Sequence, residues 1–439
     1  MNMNRKTLIL LAVVLLMMAS VVKLCSDVMG EQTEYTLKIQ QAQKYADDEL
    51  YEKAIQTYEE AVAISPEQEA YLSIGNLYCV MEEYTAAENT GEEILSLFPY
   101  SPDSYAFMAR VYVTEEKYSQ LNDLYKQMLS AKVTSDEVKT MLSDVYNEWH
   151  YGFTTATEVG AFSGELCAYK TDKGWGYIST TDSVVVRPKY SSASPFSTST
   201  AAVCEDGTWF ILNLEGIKQL NLSSVIEGCE DVGMANYDLL PICVNGQYGY
   251  YTDTDYQLVF GSYDWAGTFS SGVAAVRNGS DWYLVNTEGK TITEAFSSIL
   301  TDDRGMACRS ERCFAETKNG YILLDNTGTR VGTETYEDAC PFTADKVAAV
   351  CIGGLWGFID ENGNTLIEPS FKNARSFSNG YAAVEYDDDL WGYIDLTGQL
   401  VIQDDFTDAR DFNSNGSAFV KSYDAWREII LYRYESEAD

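Results

Sequence analysis

One motif, recurring every 34 to 39 residues from about position 165 onward, constrains this chain more than any other feature. Its clearest copy opens with Ala348-Ala349-Val350. It continues through Leu355-Trp356-Gly357-Phe358-Ile359-Asp360 and Asn362-Gly363. It then returns through Leu366-Ile367-Glu368-Pro369 to Phe377-Ser378-Asn379-Gly380 and a new Ala382-Ala383-Val384. The aromatic of the second segment recurs as Trp175, Trp209, Tyr248, Trp282, Tyr321, Trp356, Trp391 and Trp426. A unit of this size cannot bury its apolar face alone, so neighbouring copies must cover one another.

Each part of the unit has a local reading. Trp-Gly-Tyr-Ile-Asp alternates with period two, as a strand does. The Asp or Asn at 213, 286, 325, 360 and 395 precedes a glycine (216, 289, 328, 363, 398) and marks a tight turn with φ > 0. Leu366-Ile367 and Leu400-Val401-Ile402 read as the returning strand, with Pro188 and Pro369 closing it at an edge. Phe196, Phe269, Phe342, Phe377 and Phe412 precede the next small-residue strand and are expected to plug the core between units.

These units resemble the WG repeats of bacterial exported proteins, most closely at Trp175-Gly176-Tyr177-Ile178, Trp356-Gly357-Phe358-Ile359-Asp360 and Trp391-Gly392-Tyr393-Ile394-Asp395. The resemblance implies architecture rather than a defined activity. The last copy, around Trp426, lacks its phenylalanine segment, and a similar piece, Val159-Gly160-Ala161-Phe162-Ser163-Gly164, stands before the first copy. An N-terminal segment that completes a C-terminal unit predicts a propeller-like ring of about seven or eight units, the alternative being an open β-solenoid.

Residues 31–150 follow a helical period instead. Matching positions lie 33 to 34 residues apart: Ala42, Gly75 and Ala109; Ala54, Ala87 and Leu121. Small residues there let paired helices approach, tyrosines fill the space between pairs, and Pro66 and Pro99 stop the second helices. This pattern resembles the tetratricopeptide repeat. Three copies span about 35–134, and Ser135 with Asp136 and Glu137 opens a final capping helix that runs to about Trp149. The resemblance implies a concave groove for a peptide or partner helix, lined at the matching positions Gln43, Asn76 and Arg110.

The N-terminus carries Arg5 and Lys6 before an apolar run from Leu8 to Val22. Its length lies between a signal-peptide core and a membrane span. The reading is an uncleaved signal anchor within residues 1–30, with the rest outside the cytoplasm; secretion after signal cleavage is the alternative. The expected organisation is thus a membrane helix (1–30), a helical repeat domain (31–150) and an all-β WG-repeat domain (151–439).

Formal charge is −37, and residues 31–150 carry 23 acidic and 8 basic side chains against 43 and 19 in 151–439. Acidity spread in this way repels phosphate backbones and argues against nucleic acid as a partner. Catalytic constellations are poorly supplied. His150 is the one histidine, read as a junction residue beside the capping helix, so a histidine-based triad has a single candidate base. Cys308 and Cys313 are five apart with no partner pair, which is a weak zinc pattern. Cys204 and Cys351 follow Ala-Ala-Val and read as buried apolar residues, while disulfides are permitted outside the cell. The acidic pairs Asp302-Asp303, Asp387-Asp388-Asp389 and Asp404-Asp405 fall in loops, and Asp360-Glu361-Asn362-Gly363-Asn364 reads as a hairpin turn rather than a calcium loop.

No catalytic residue, metal or cofactor is expected. The expected function is a non-enzymatic, membrane-anchored scaffold outside the cytoplasm that binds a protein or peptide. The alternatives are a cell-wall or carbohydrate-binding module using exposed aromatics, and a propeller-type glycoside hydrolase.

Overall fold

The computed structural model describes residues 30–434, and two compact units divide near Tyr146 and Asn147. The first unit holds seven helices among the described residues: α1 (30–47), α2 (Tyr51–Ile64), α3 (Gln68–Val80), α4 (Tyr84–Leu97), α5 (Pro102–Thr114), α6 (Tyr118–Ser130) and α7 (Asp136–Asp144). Ala42, Ala54, Ala87 and Ala109 are fully buried where helices cross. A Cβ on Gly75 would lie 2.3 Å from the Phe107 ring, so only glycine fits that crossing. α1, α3, α5 and α6 each end in the same way. A non-glycine residue turns left-handed (Glu49, Glu82, Glu116, Lys132), and the next amide reaches back five residues, as in Glu83 N to Tyr78 O at 2.9 Å. Ser135 caps α7 by accepting from the Val138 amide at 3.4 Å.

The second unit carries 29 strands in seven sheets. In the best-preserved copy, Val347–Ile352 pairs antiparallel with Leu355–Asp360, placing Cys351 opposite Trp356 and Ala348 opposite Ile359. The glycine after the tryptophan has a steric cause. A Cβ on Gly176, Gly357 or Gly392 would come within 2.3, 2.6 or 2.6 Å of a carbonyl oxygen on the returning strand. The tyrosine that follows pins the unit. Tyr177, Tyr250 and Tyr393 donate to the carbonyls of Ser194, Gly267 and Arg410 at 2.7, 2.8 and 2.8 Å. Their rings meet Phe196, Phe269 and Phe412 at 4.7, 4.8 and 4.7 Å. Burying aromatic pairs of this size stabilises each unit through both buried area and ring contact.

The Asp turns are closed by their own side chains. Asp360 Oδ1 accepts from the amides of Asn362 and Asn364 at 2.8 Å each, and Asp395 from Thr397 and Gln399 at 2.9 and 3.2 Å. Burial pushes the Asp325, Asp360 and Asp395 carboxyls up, but these hydrogen bonds outweigh it and hold them below the ordinary value.

The structure bears on the expected architecture in three places, and corrects it in the second and third. First, among the described residues no helix is long and apolar enough to cross a membrane, and the Leu8–Val22 run lies outside those residues. Second, the β region is not one closed ring of seven or eight equivalent units. It is a series of small sheets of three or four strands with no closed barrel, plus one seven-stranded sheet that fuses the last two repeats. The fusion is made by the ten-residue strand Leu400–Ala409, which leaves Trp391 and Tyr393 and continues without a break to pair with Ser417–Ser422. The corresponding run after Trp356 has Pro369 and splits into Thr365–Phe371 and Asn373–Ala374. Third, Glu158–Ser163 does not complete the last unit. It pairs with Leu166–Thr171 of its own unit, and Trp149–Ala156 instead joins Ala425–Leu431, with Trp149 against Leu431 and Ala156 against Trp426. Trp149 and His150, assigned from sequence to the end of the capping helix, are therefore strand residues, since α7 ends at Asp144.

Candidate functional site

In the helical unit the first helices of successive repeats are neighbours, α3 against α5 and α5 against α7. Gln43, Asn76 and Arg110 each follow the buried small residue of their helix (Ala42, Gly75, Ala109), and that one step round the helix leaves all three exposed. They form a row on the first helices, one residue per helix. Gln43 donates to Asp47 at 3.1 Å and accepts from Tyr58 at 3.1 Å. Arg110 reaches Glu137 of α7 at 2.5 Å, with both side chains about half exposed. Asn76, between them, makes no side-chain hydrogen bond among the described residues. Acidic groups border the row: burial, with Glu67 and Glu69, raises the Tyr35 hydroxyl, and burial, with Asp47 and Glu69, raises that of Tyr58 against the pull of Ser73. Amide and guanidinium groups spaced one helix apart suit hydrogen bonding to an extended chain. A hollow of this unit lies elsewhere. It is a cavity of about 420 Å³ between α4, α5 and α6, lined by Glu92, Leu95, Met108, Tyr112, Asp123 and Leu124, and it includes none of the three row residues.

In the β unit the repeat aromatics are occupied by packing. Trp209, Trp356, Trp391 and Trp426 are at most 9% exposed. The half-buried Trp175 and Trp282 have a face covered by Lys170 and by Trp265 with Arg277. Stacking on sugars through these residues therefore loses its platform. His150 lies on the first strand with Nδ1 3.2 Å from the Tyr151 carbonyl and its ring 4.9 Å from Tyr432. Cys308 and Cys313 form a disulfide, with Cα atoms 4.5 Å apart; Cys204 and Cys351 are buried and free. Asp387 and Asp388 pair with Lys372, and Asp404 accepts from Tyr151 at 3.2 Å.

Sequence reasoning missed a cavity of about 340 Å³ in this unit, where segments of five repeats converge: 160–164, 301–309, 340–344, 375–379 and 410–414. Four of the chain's twelve arginines line it, Arg304, Arg309, Arg375 and Arg410. Arg304 grips Asp302 through Nε and Nη2 at 3.0 and 2.8 Å and donates to the Phe162 carbonyl at 3.3 Å. Arg375 donates to the Ala409 carbonyl at 2.6 Å and to Asp408 at 3.1 Å. Arg410 reaches Asp303 at 3.1 Å and lies 5.1 Å over Trp426, while its Nε is buried without a partner. Arg309 approaches Asp302 only at 3.6 Å. Asp411 also lines the cavity and has no hydrogen-bond partner among the described residues. Burial of the carboxyl, with the Asp303 charge, pushes it up against the pull of Arg375, Arg304 and Arg410. The available sequence signal was the wider spacing of 39 residues between Trp282 and Tyr321, which makes room for the Asp302–Arg309 excursion.

With this geometry established, comparison with known proteins places the repeats. The family model described as "WG containing repeat" matches residues 175–209, 262–282, 356–388 and 391–426. Tetratricopeptide repeat protein 21B of Xenopus laevis is 25% identical over 115 residues, covering 26% of this chain but only 9% of that relative. The tetratricopeptide domain of Sgt2 from Aspergillus fumigatus is 18% identical over 25% of this chain and 76% of its own, with a TM-score of 0.23. The dihydro-heme d1 dehydrogenase NirN, in complex with DHE, is 12% identical over 60% of this chain and 67% of its own, with a TM-score of 0.37. At those scores neither structure says anything about what this chain binds or does. The chain carries tetratricopeptide-like repeats followed by WG repeats.

Proposed function

We propose that this chain, a tetratricopeptide-like stack followed by WG repeats, is a non-catalytic scaffold that holds protein partners and takes an extended peptide along the first helices of the stack. The observation that carries this reading is the row of Gln43, Asn76 and Arg110, exposed at equivalent positions on successive first helices, with Asn76 unoccupied. A peptide backbone offers one donor and one acceptor per residue, and amide side chains answer both. The Arg110–Glu137 pair, exposed on both sides, is cheap to exchange for a peptide carboxylate.

The test is selection of peptides from a displayed random library on the full protein, followed by titration of the winners against Q43A/N76A/R110A. The reading expects enrichment of a shared motif and at least about tenfold weaker binding by the triple variant. Peptides that bind the variant as tightly as the parent would overturn it.

The scaffold is proposed to work outside the cytoplasm. The Arg5-Lys6 charge before the Leu8–Val22 run supports export. The Cys308–Cys313 disulfide also fits an oxidising compartment. Protease added to intact cells is expected to digest the protein; complete protection until lysis would refute the placement.

A further inference from the structure

We propose that the arginine-lined cavity of the β unit binds a small organic carboxylate, gripped by Arg309 and Arg410. The argument begins with charge. A chain of formal charge −37 gathers a third of its arginines around a single hollow, four guanidinium groups against the three lining carboxylates of Asp302, Asp303 and Asp411. Two of the four have work within the protein. Arg304 and Arg375 spend their donors on Asp302, Asp408 and backbone carbonyls.

The other two retain unused donors. Both oxygens of Asp302 are already taken, Oδ2 by the Arg304 side chain and Oδ1 by the amides of Arg304 and Met306 at 3.0 Å each. Arg309 therefore stands 3.6 Å away with its fork unfilled. Arg410 gives one donor to Asp303 and leaves Nε buried and unpaired. Unpaired donors of partly buried guanidinium groups are unfavourable, and a carboxylate matches the planar fork that both side chains leave partly open to the cavity. Burial and the neighbouring charge of Arg304 push Arg309 below the usual guanidinium value, as an excess of positive charge should.

Asp411 is the residue in the way. It lines the cavity without a hydrogen-bond partner among the described residues, and burial of its carboxyl raises it from the ordinary value. An incoming carboxylate competes with it for Arg410. Beyond the charges the walls mix the rings of Phe342, Phe412 and Phe419 with polar groups such as Thr301, Ser376 and Asn413. The volume, about 340 Å³, lies at the small end of the roughly 300–1,000 Å³ used by ligand pockets, which limits the ligand to a small molecule. Arg309 lies inside the short loop closed by Cys308–Cys313, which limits its backbone freedom before the ligand arrives.

The experiment is calorimetric titration of the full chain with acetate, succinate, citrate and, separately, inorganic phosphate. Succinate or citrate is expected to bind saturably with a Kd below about 1 mM. R309Q should weaken that binding by about tenfold or more, with far-ultraviolet circular dichroism unchanged. D411N should tighten it several-fold, because it removes the competing charge. The D411N result has the opposite sign if the site takes a cation, so weaker binding by D411N overturns the proposal. No saturable carboxylate binding up to about 10 mM by folded protein overturns it, as does binding of phosphate alone. R309Q leaves peptide capture by the helical stack unchanged, so failure here is separate from failure of the scaffold reading.

Discussion

The helical and β units repeat at nearly the same length, yet they bury their cores by opposite means. In the helical unit, removing atoms makes the contact: Ala42, Ala54, Ala87, Ala109 and Gly75 sit at the crossings because anything larger would separate the helices. In the β unit the contact is made by adding atoms. Tyr177, Tyr250, Phe358 and Tyr393 each press on a phenylalanine from the unit's closing segment. The connectivity differs as well. Helices touch their neighbours along the chain, whereas the first strand of the β unit, Trp149–Ala156, is completed by the last, Ala425–Leu431. Stability in a stack of neighbours is roughly a sum of local terms. Stability in a unit whose ends pair is lost together.

The largest expected departure comes from a buried carboxyl on that last strand. Glu428 is fully buried opposite Phe419. Burial pushes its carboxyl up to about 8; Ser417, the backbone of Asp182 and His150 pull against the rise, and the Asp182 charge adds to it. The folded protein thus keeps a proton that the unfolded chain loses near pH 4.3. Stability from this group is complete below that pH and is lost as pH rises through about 8, a change on the order of 5 kcal/mol. Urea midpoints of the β unit should fall across that window and flatten in Glu428→Gln; an equal slope in both proteins would break the assignment.

Phe377→Ala comes next. It removes a fully buried plug 4.9 Å from Phe358 and is expected to cost about 3–5 kcal/mol in denaturant unfolding of the β unit, leaving the helical transition in place. Joint loss of both transitions would show that the units are not independent. In the helical unit, Ser135→Ala removes the cap of α7 and should cost about 1 kcal/mol, read as a lower helical midpoint with the β midpoint unmoved. The smallest effect is a gain. Glu82 holds φ 60° where glycine pays no steric penalty, so Glu82→Gly should raise stability by up to about 1 kcal/mol. A loss there would mean that the Glu82 side chain makes a contact of its own.

How much was legible in advance depends on range. The Asp360 turn, the Phe377 plug and the tight Ala54 crossing each depend on residues close in sequence or repeated at fixed spacing, and the motif displays them directly. Gln43, Asn76 and Arg110 could be placed on a face because helical periodicity alone determines exposure. What occupies them could not: Arg110 meets Glu137 across 27 residues. The burial of Trp356 and Trp391 was equally out of reach, since an alternating strand offers two faces and only the neighbouring unit says which is covered.

The sequence by itself determined the two repeat types, their order and the small menu of turns and strands within each unit, because these follow from steric rules acting over a few residues. The tertiary structure alone decided three things. It turned the residues around Trp149 into a strand that serves the far end of the unit. It fused the last two repeats through Leu400–Ala409. It also brought Arg309, Arg375 and Arg410 to one cavity. Pairing and charge convergence over hundreds of residues reflect which surfaces remain unsatisfied once every local unit has formed, and no local pattern records that.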